Sequence, residues 1–288
     1  MLKWAGKSGV MKGETRRREG RCAGFLLAVG LLSAGSSVLY AGPTDEPLVI
    51  AASPGMKGPI EALARSFEKI HPNVKVKVYY DTGLDLRRTV ASLQNTGKHF
   101  IGTGPIHLIA PGGDELITRL ETKYYVLPET RHPYAAVPLV LVVPVALVEA
   151  ASSFEELGKG AAYRIAIADP TLTELGRQTR QLLTSLGVAD DIRGRLDVAS
   201  DARGVLDHLL LGQADVGIIF GPDAVKEQER VRVVATAGKP NFEPTIHSMA
   251  MERYCPNRSL CEEFLVFIQS PEAQAVLKLL GYLSPTGP

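Results

Sequence analysis

The chain has 288 residues, 45% of them apolar, with 32 Lys and Arg against 31 Asp and Glu and a formal net charge of +1. That length fits one large or two modest α/β domains, and so even a balance of charge leaves no basic patch suited to nucleic acid. The one long uncharged run is too short and too rich in Gly and Ser for a comfortable membrane span.

That run lies at the start. Residues 1–21 carry Lys3, Lys7, Lys12, Arg16, Arg17, Arg18 and Arg21 against only Glu14 and Glu19, and "CAGFLLAVGLLSAGSSVLYAG" follows. A basic segment, a short apolar core and small residues near Ala41 form a secretory signal, with cleavage expected after Ala41. "TRRREG" is discounted as a twin-arginine signal because Glu19 stands where an apolar residue is needed, and Met11 is a second candidate start. No cysteine sits at the junction, so no lipoprotein anchor is expected, and residues 1–41 are read as a signal peptide of a periplasmic protein. The remaining chain, about 247 residues, is acidic. Cys22 leaves with the signal, and Cys255 and Cys261 remain in "CPNRSLC". Two cysteines in an exported chain tend to pair, and this turn brings them together, so a Cys255–Cys261 disulfide is expected.

Along the mature chain, short β-rich runs alternate with helical patterns. "LVIAA" (48–52) reads as a strand, and Ile60, Leu63, Ala64, Phe67 and Ile70 keep helical spacing. "VKVKVYY" (74–80) alternates like a half-exposed edge strand, 85–95 is helical, 106–110 is a strand and 114–121 a short helix. "VPLVLVVP" (137–144) reads as a buried strand bounded by prolines. A second round follows, with a strand in 163–170, helices over 174–187 and 202–212, and strands at 215–220 and 231–236. "IHSMAM" and two helices close the chain, one starting near Ser259 with Glu262 completing a capping box, the other at Ser270 with Pro271 in its first turn. The alternation argues for mostly parallel sheets covered on both faces. There are too many rounds for one sheet. "ETRHPYAAVP" and "TAGKPNFEP" are the natural crossings between two lobes, lobe one being 46–133 plus 243–288 and lobe two 137–236.

Enzyme chemistry finds little support. There is no G-x-S-x-G elbow, P-loop, H-E-x-x-H or G-x-G-x-x-G after a strand. The histidines are scattered, two of them (His71 and His132) ahead of proline, and the pairs Tyr79-Tyr80 and Tyr124-Tyr125 read as strand-edge residues rather than iron ligands. No metal or cofactor is expected. What remains is a set of strand-to-helix junctions: Ser53, Thr82-Gly83, "DPTLTELG" (169–176) and "SDARG" (200–204). Each is an ordinary cap by itself, yet each also presents backbone N–H groups that favour an anion. Several of them facing one cleft would form a site.

"VIAASP…ALARSFEKIHPNVKV", "TGLDLRRTV", "IAIADPTLTELGRQTRQLLTSLGV", "DARGVLDHLLLGQADVGIIFGPDAV" and "SPEAQAVLKLLGY" resemble the periplasmic molybdate-binding proteins of ABC importers, members of the type II solute-binding superfamily. The resemblance spans nearly all of 47–282 and implies two α/β lobes closing on an anion held by neutral donors. Ser53 falls on the family's first serine. The second serine falls on Gly83, with Thr82 the nearest hydroxyl; backbone donors fall on Leu175 and Ala202; and the tyrosine falls on Phe220, which has no hydroxyl. Leu175 is bulkier than the family's small residue, "PGMKGP" is about two residues longer than the family's turn, and His107 replaces the usual Asp.

The resemblance implies a monomeric receptor that delivers molybdate or tungstate to a membrane permease. The residues leave two alternatives open: another small anion or organic acid in the same fold, and a periplasmic accessory protein that docks onto a partner enzyme.

Overall fold

Ten strands and seven helices carry the fold in a computed structural model that describes residues 47–81, 106–149, 151–159 and 163–285. The helix expected at 85–95 and the signal segment lie outside these residues. The first sheet contains β1 (Leu48–Ala52), β2 (Val76–Tyr80), β3 (Leu108–Ala110), β4 (His132–Val137) and β10 (Thr245–Met251), in the order β2-β1-β3-β10-β4. The second contains β5 (Leu139–Pro144), β6 (Ile165–Ala168), β7 (Leu196–Ala199), β8 (Val216–Phe220) and β9 (Val231–Thr236), in the order β7-β6-β8-β5-β9. Both follow one plan. Three parallel strands, β2-β1-β3 or β7-β6-β8, are extended by an antiparallel pair. The sheets are therefore mixed, the parallel half of each coming from the strand–helix alternation of the sequence.

Each sheet has its own core. In lobe one, α1 (Lys57–Ile70) buries Ile60, Leu63, Ala64 and Phe67, the residues whose helical spacing stands out in the sequence. Phe67 meets Phe264 edge-on at 4.9 Å between ring centres, joining α1 to α6 (Arg258–Phe267). Helices α2 (Asp114–Thr122) and α7 (Pro271–Leu279) complete the cover. In lobe two, α3 (Glu174–Ser185), α4 (Ala202–Leu210) and the short α5 (Gly221–Lys226) enclose the β6–β8 face. Among the described residues, Phe220 alone of the partly buried hydrophobic ones packs against both principal cores.

Three expectations change. "HPYAAV" is strand β4 rather than a crossing, and the chain passes between sheets at the single residue Pro138. Pro133 misled the reading; it sits where the β4–β10 ladder bulges, a place that tolerates a residue without an N–H. The cap of α6 is Asn257, two residues ahead of Ser259, and its Oδ1 accepts the Leu260 N–H at 3.2 Å. Finally, Cys255 and Cys261 are buried free thiols, not a disulfide. The turn brings the sulfurs only into hydrogen-bond contact, Cys261 donating; that bond favours the Cys255 thiolate and holds the proton on Cys261. The Ser270 cap of α7 stands as expected, accepting from Ala273 N–H at 3.2 Å.

One close approach fixes the geometry of lobe two. A Cβ added to Gly176, in the first turn of α3, would lie 2.4 Å from the Ala168 carbonyl oxygen and from the Asp169 backbone. Only a glycine lets this helix start so near the end of β6. Gly176→Ala is expected to push α3 off the strand and destabilise the protein by about 1–3 kcal/mol, read as a lower urea midpoint with an unchanged slope.

Candidate functional site

The described candidate residues lie at or just beyond the C-terminal ends of parallel strands. β1 and β6 are each flanked by strands reached in opposite directions, and such switch points are where open α/β sheets leave a crevice for ligand. Ser53 follows β1. Its backbone is extended, its N–H donates to Ala110 O at 3.1 Å, and its side chain caps nothing. The extra turn residues are absorbed as a 3-10 turn, Pro54–Met56, before α1 begins at Lys57. The hydroxyl instead lies over Gly112: a Cβ there would come within 2.3 Å of Ser53 Oγ. Gly112, at φ +79°, thus leaves room for the serine in a conformation that other residues rarely adopt.

In lobe two, Thr173 caps α3 by accepting from Gly176 N–H at 2.9 Å, and Asp201 caps α4 by accepting from Gly204 N–H at 2.9 Å. Both caps satisfy the third N–H of their helix and leave the earlier ones, including those of Leu175 and Ala202, without an acceptor among the described residues. The Leu175 side chain turns into the lobe-two core, so its bulk does not fill the cleft. Phe220, closing β8, presents an apolar ring between the two cores. His107 serves the sheet: its Nδ1 accepts Val49 N–H at 3.2 Å. Thr82 and Gly83 lie outside the described residues.

Between the lobes is a cavity of about 670 Å³, walled by Gly112–Glu115 at the start of α2, by Glu174, Arg177, Gln178 and Gln181 on α3, and by the returning segment 240–246. Its carboxylates are ion-paired: Asp114 with Arg131 at 2.5 Å, Glu115 with Arg119, Glu174 with Arg177, and Glu243 with Lys239 at 3.4 Å. Arg177 above all, then Gln178, hold the Glu174 carboxyl below its usual range against the opposing effect of burial. Gln178 spans the cleft, its Nε2 donating to Glu174 Oε1 at 2.6 Å and to Thr245 Oγ1 on β10 at 2.7 Å. Sequence reasoning missed Gly112, Asp114, Gln178 and Thr245. "APGGDE" after a strand carries the same junction signal as the other sites and could have been found; Gln178 and Thr245, 67 residues apart, carry no local signal.

Residues 48–283 match the bacterial extracellular solute-binding protein family, to which this chain belongs. A substrate-binding lipoprotein assigned to an ABC transporter of Bacillus subtilis is 23% identical over 262 residues, covering 90% of this chain and 94% of its own. The molybdate-binding protein ModA of Haemophilus influenzae is 22% identical over 262 residues, covering 89% and 96%. Among solved structures, a substrate-binding domain assigned to a molybdenum ABC transporter of Clostridium difficile superposes with a TM-score of 0.73 at 20% identity, covering 83% of this chain and 98% of that one. The two-lobed α/β architecture is that of these proteins. Among the described residues no helix is long and apolar enough to cross a membrane.

His247 on β10 lies under this site, buried, with its pKa lowered to about 4 by burial against weaker opposition from Asp114 and the Gly112 carbonyl. It is neutral in the fold and protonated below about pH 6.5 in the unfolded chain. The stability associated with the neutral ring is therefore complete above pH 6.5 and is lost as pH falls from about 6.5 to 4, by about 3 kcal/mol in full. His247→Gln is expected to flatten the fall in melting temperature across that window.

Proposed function

We propose that the protein is the soluble receptor of an ABC importer and holds the oxyanion group of a small solute in the interlobe cleft. One observation carries the reading: among the described residues, the Ser53 hydroxyl and the first-turn N–H groups of Leu175 and Ala202 have no acceptor, and they follow strands of both lobes. Donors of this kind, aided by the helix dipoles, suit a desolvated anion. Thr82 and Gly83 are assigned to the same site by their place after β2. Molybdate and tungstate are the inorganic candidates, from likeness to the relatives that bind molybdate or belong to a molybdenum transporter. An organic anion is the second reading. Phe220 offers no hydroxyl, and the cavity is in the size range of sites for organic ligands. The protein is assigned to the periplasm, behind a signal ending at Ala41, and delivers its solute as a monomer to a membrane permease.

Thermal unfolding of the mature protein against molybdate, tungstate and sulfate tests the inorganic case. Binding to the folded state raises the melting temperature with concentration, and molybdate and tungstate should exceed sulfate. No shift by either metal oxyanion at millimolar concentration excludes them as solutes. Ser53→Ala removes a donor to a charged oxygen and should weaken any bound oxyanion by about 10- to 100-fold. An unchanged dissociation constant would remove Ser53 from the site.

A further inference from the structure

The chain crosses between the lobes at two adjacent places. Val137 ends β4 in the first sheet and Leu139 begins β5 in the second, with Pro138 alone between them. On the return, Phe242 is buried in the lobe-two core, and only Glu243 and Pro244 separate it from Thr245, which begins β10 and pairs with Val137. Thr245 is thus the first lobe-one residue beyond the crossing. Its Oγ1 accepts from Gln178 Nε2 at 2.7 Å. Gln178 lies on α3, which Leu175, Leu182 and Leu183 anchor in the lobe-two core. The ion pairs around the cleft make no such link. Asp114–Arg131 and Glu115–Arg119 lie within lobe one, Glu174–Arg177 within lobe two, and Glu243–Lys239 within the crossing segment.

We infer that Gln178 is a positioning residue whose hydrogen bond to Thr245 is a latch, holding the lobes in the relation in which the protein takes its anion. For the anion this rests on the oxyanion reading above, which draws on Ser53 in lobe one and on Leu175 and Ala202 in lobe two. Rotation about Pro138 and Glu243–Pro244 carries Thr245 with one lobe and Gln178 with the other. So near the crossing the two atoms separate little, but a hydrogen bond weakens steeply once its angle falls below about 120°, so rotation breaks it through direction. The amide has little freedom to follow. Gln178 is 6% exposed, and Nε2 also donates to Glu174 Oε1 at 2.6 Å. Leu175 lies in the turn before Gln178 on the same helix, so what holds Gln178 against lobe one also sets where the Leu175 N–H stands relative to Ser53. An anion that binds only one arrangement of the lobes loses affinity in proportion to the molecules that leave it.

Spin labels on Lys75→Cys in lobe one and Leu211→Cys in lobe two, both exposed positions, read the interlobe distance of the mature protein without a ligand, since Cys255 and Cys261 are buried. Thr245→Val keeps the shape of the side chain and loses the acceptor; it should shift or split that distance by more than about 2 Å. Thr245→Ser keeps the hydroxyl and should leave the distance as in the wild type. Gln178→Met removes the donor from the other side and should repeat the shift. In calorimetry, Thr245→Val should weaken the binding of molybdate or tungstate by about 3- to 10-fold, and Thr245→Ser by no more than about 2-fold. A merely structural role would lower the melting temperature and move neither distance nor affinity. An unmoved distance in both Thr245→Val and Gln178→Met overturns the inference, and so does a moved distance with unchanged affinity for an anion that the wild type binds. If neither anion binds the wild type, the oxyanion reading falls and the distance alone decides the latch.

Discussion

A helix that follows a parallel strand begins with N–H groups for which the helix has no acceptors, and this constraint organises the molecule. The residue ahead of the helix can cap one of them, as Thr173 and Asp201 do for α3 and α4, but the first donors remain open. In this fold those open donors lie at strand ends in both lobes. Gly176 sharpens the effect, because its missing Cβ lets α3 start in contact with the end of β6. Gly112 does so in lobe one by making room for Ser53. These junctions are thereby held against the strand ends from which they start.

The two lobes are joined tightly where the chain crosses. Pro138 is the whole first connection, and its carbonyl accepts from Gly221 N–H at 3.0 Å. The C-terminal segment returns to pair Leu283 with Ala136, and Gly281 and Gly221 approach so closely that a Cβ on either would meet the other's backbone at 2.5–2.6 Å. Phe220, next to this contact, touches both principal cores. A tyrosine there would add a donor; a phenylalanine instead joins the lobes by apolar contact.

The opposite wall has a different character. Gln178 bridges α3 and β10, and the carboxylates around it are matched one by one with arginine or lysine. With charge balanced there, the polar character of this wall comes from individual hydrogen-bonding atoms such as those of Gln178 and Thr245. His247, buried and neutral beneath the same wall, couples the integrity of this region to mild acidity.

Local patterns in the sequence were enough for the strand–helix alternation, the apolar stripe of α1, the Ser270 cap and the strand-to-helix junctions at Ser53, 169–176 and 200–204, because each depends on neighbours a few residues away. The division into two sheets followed from the number of alternations. Other features depended on partners far along the chain. Whether "HPYAAV" was crossing or strand turned on its ladder with β10, more than a hundred residues later. Whether Leu175 obstructed the cleft turned on which way α3 faced, and its side chain went to the core. Cys255 and Cys261 were close in sequence, yet the geometry of the turn held them as hydrogen-bonded thiols. The Gln178–Thr245 contact and the cavity around it belong to the tertiary structure alone. Periodicity and caps are written locally and specify which donors exist; only the packing of distant segments decides which acceptors face them.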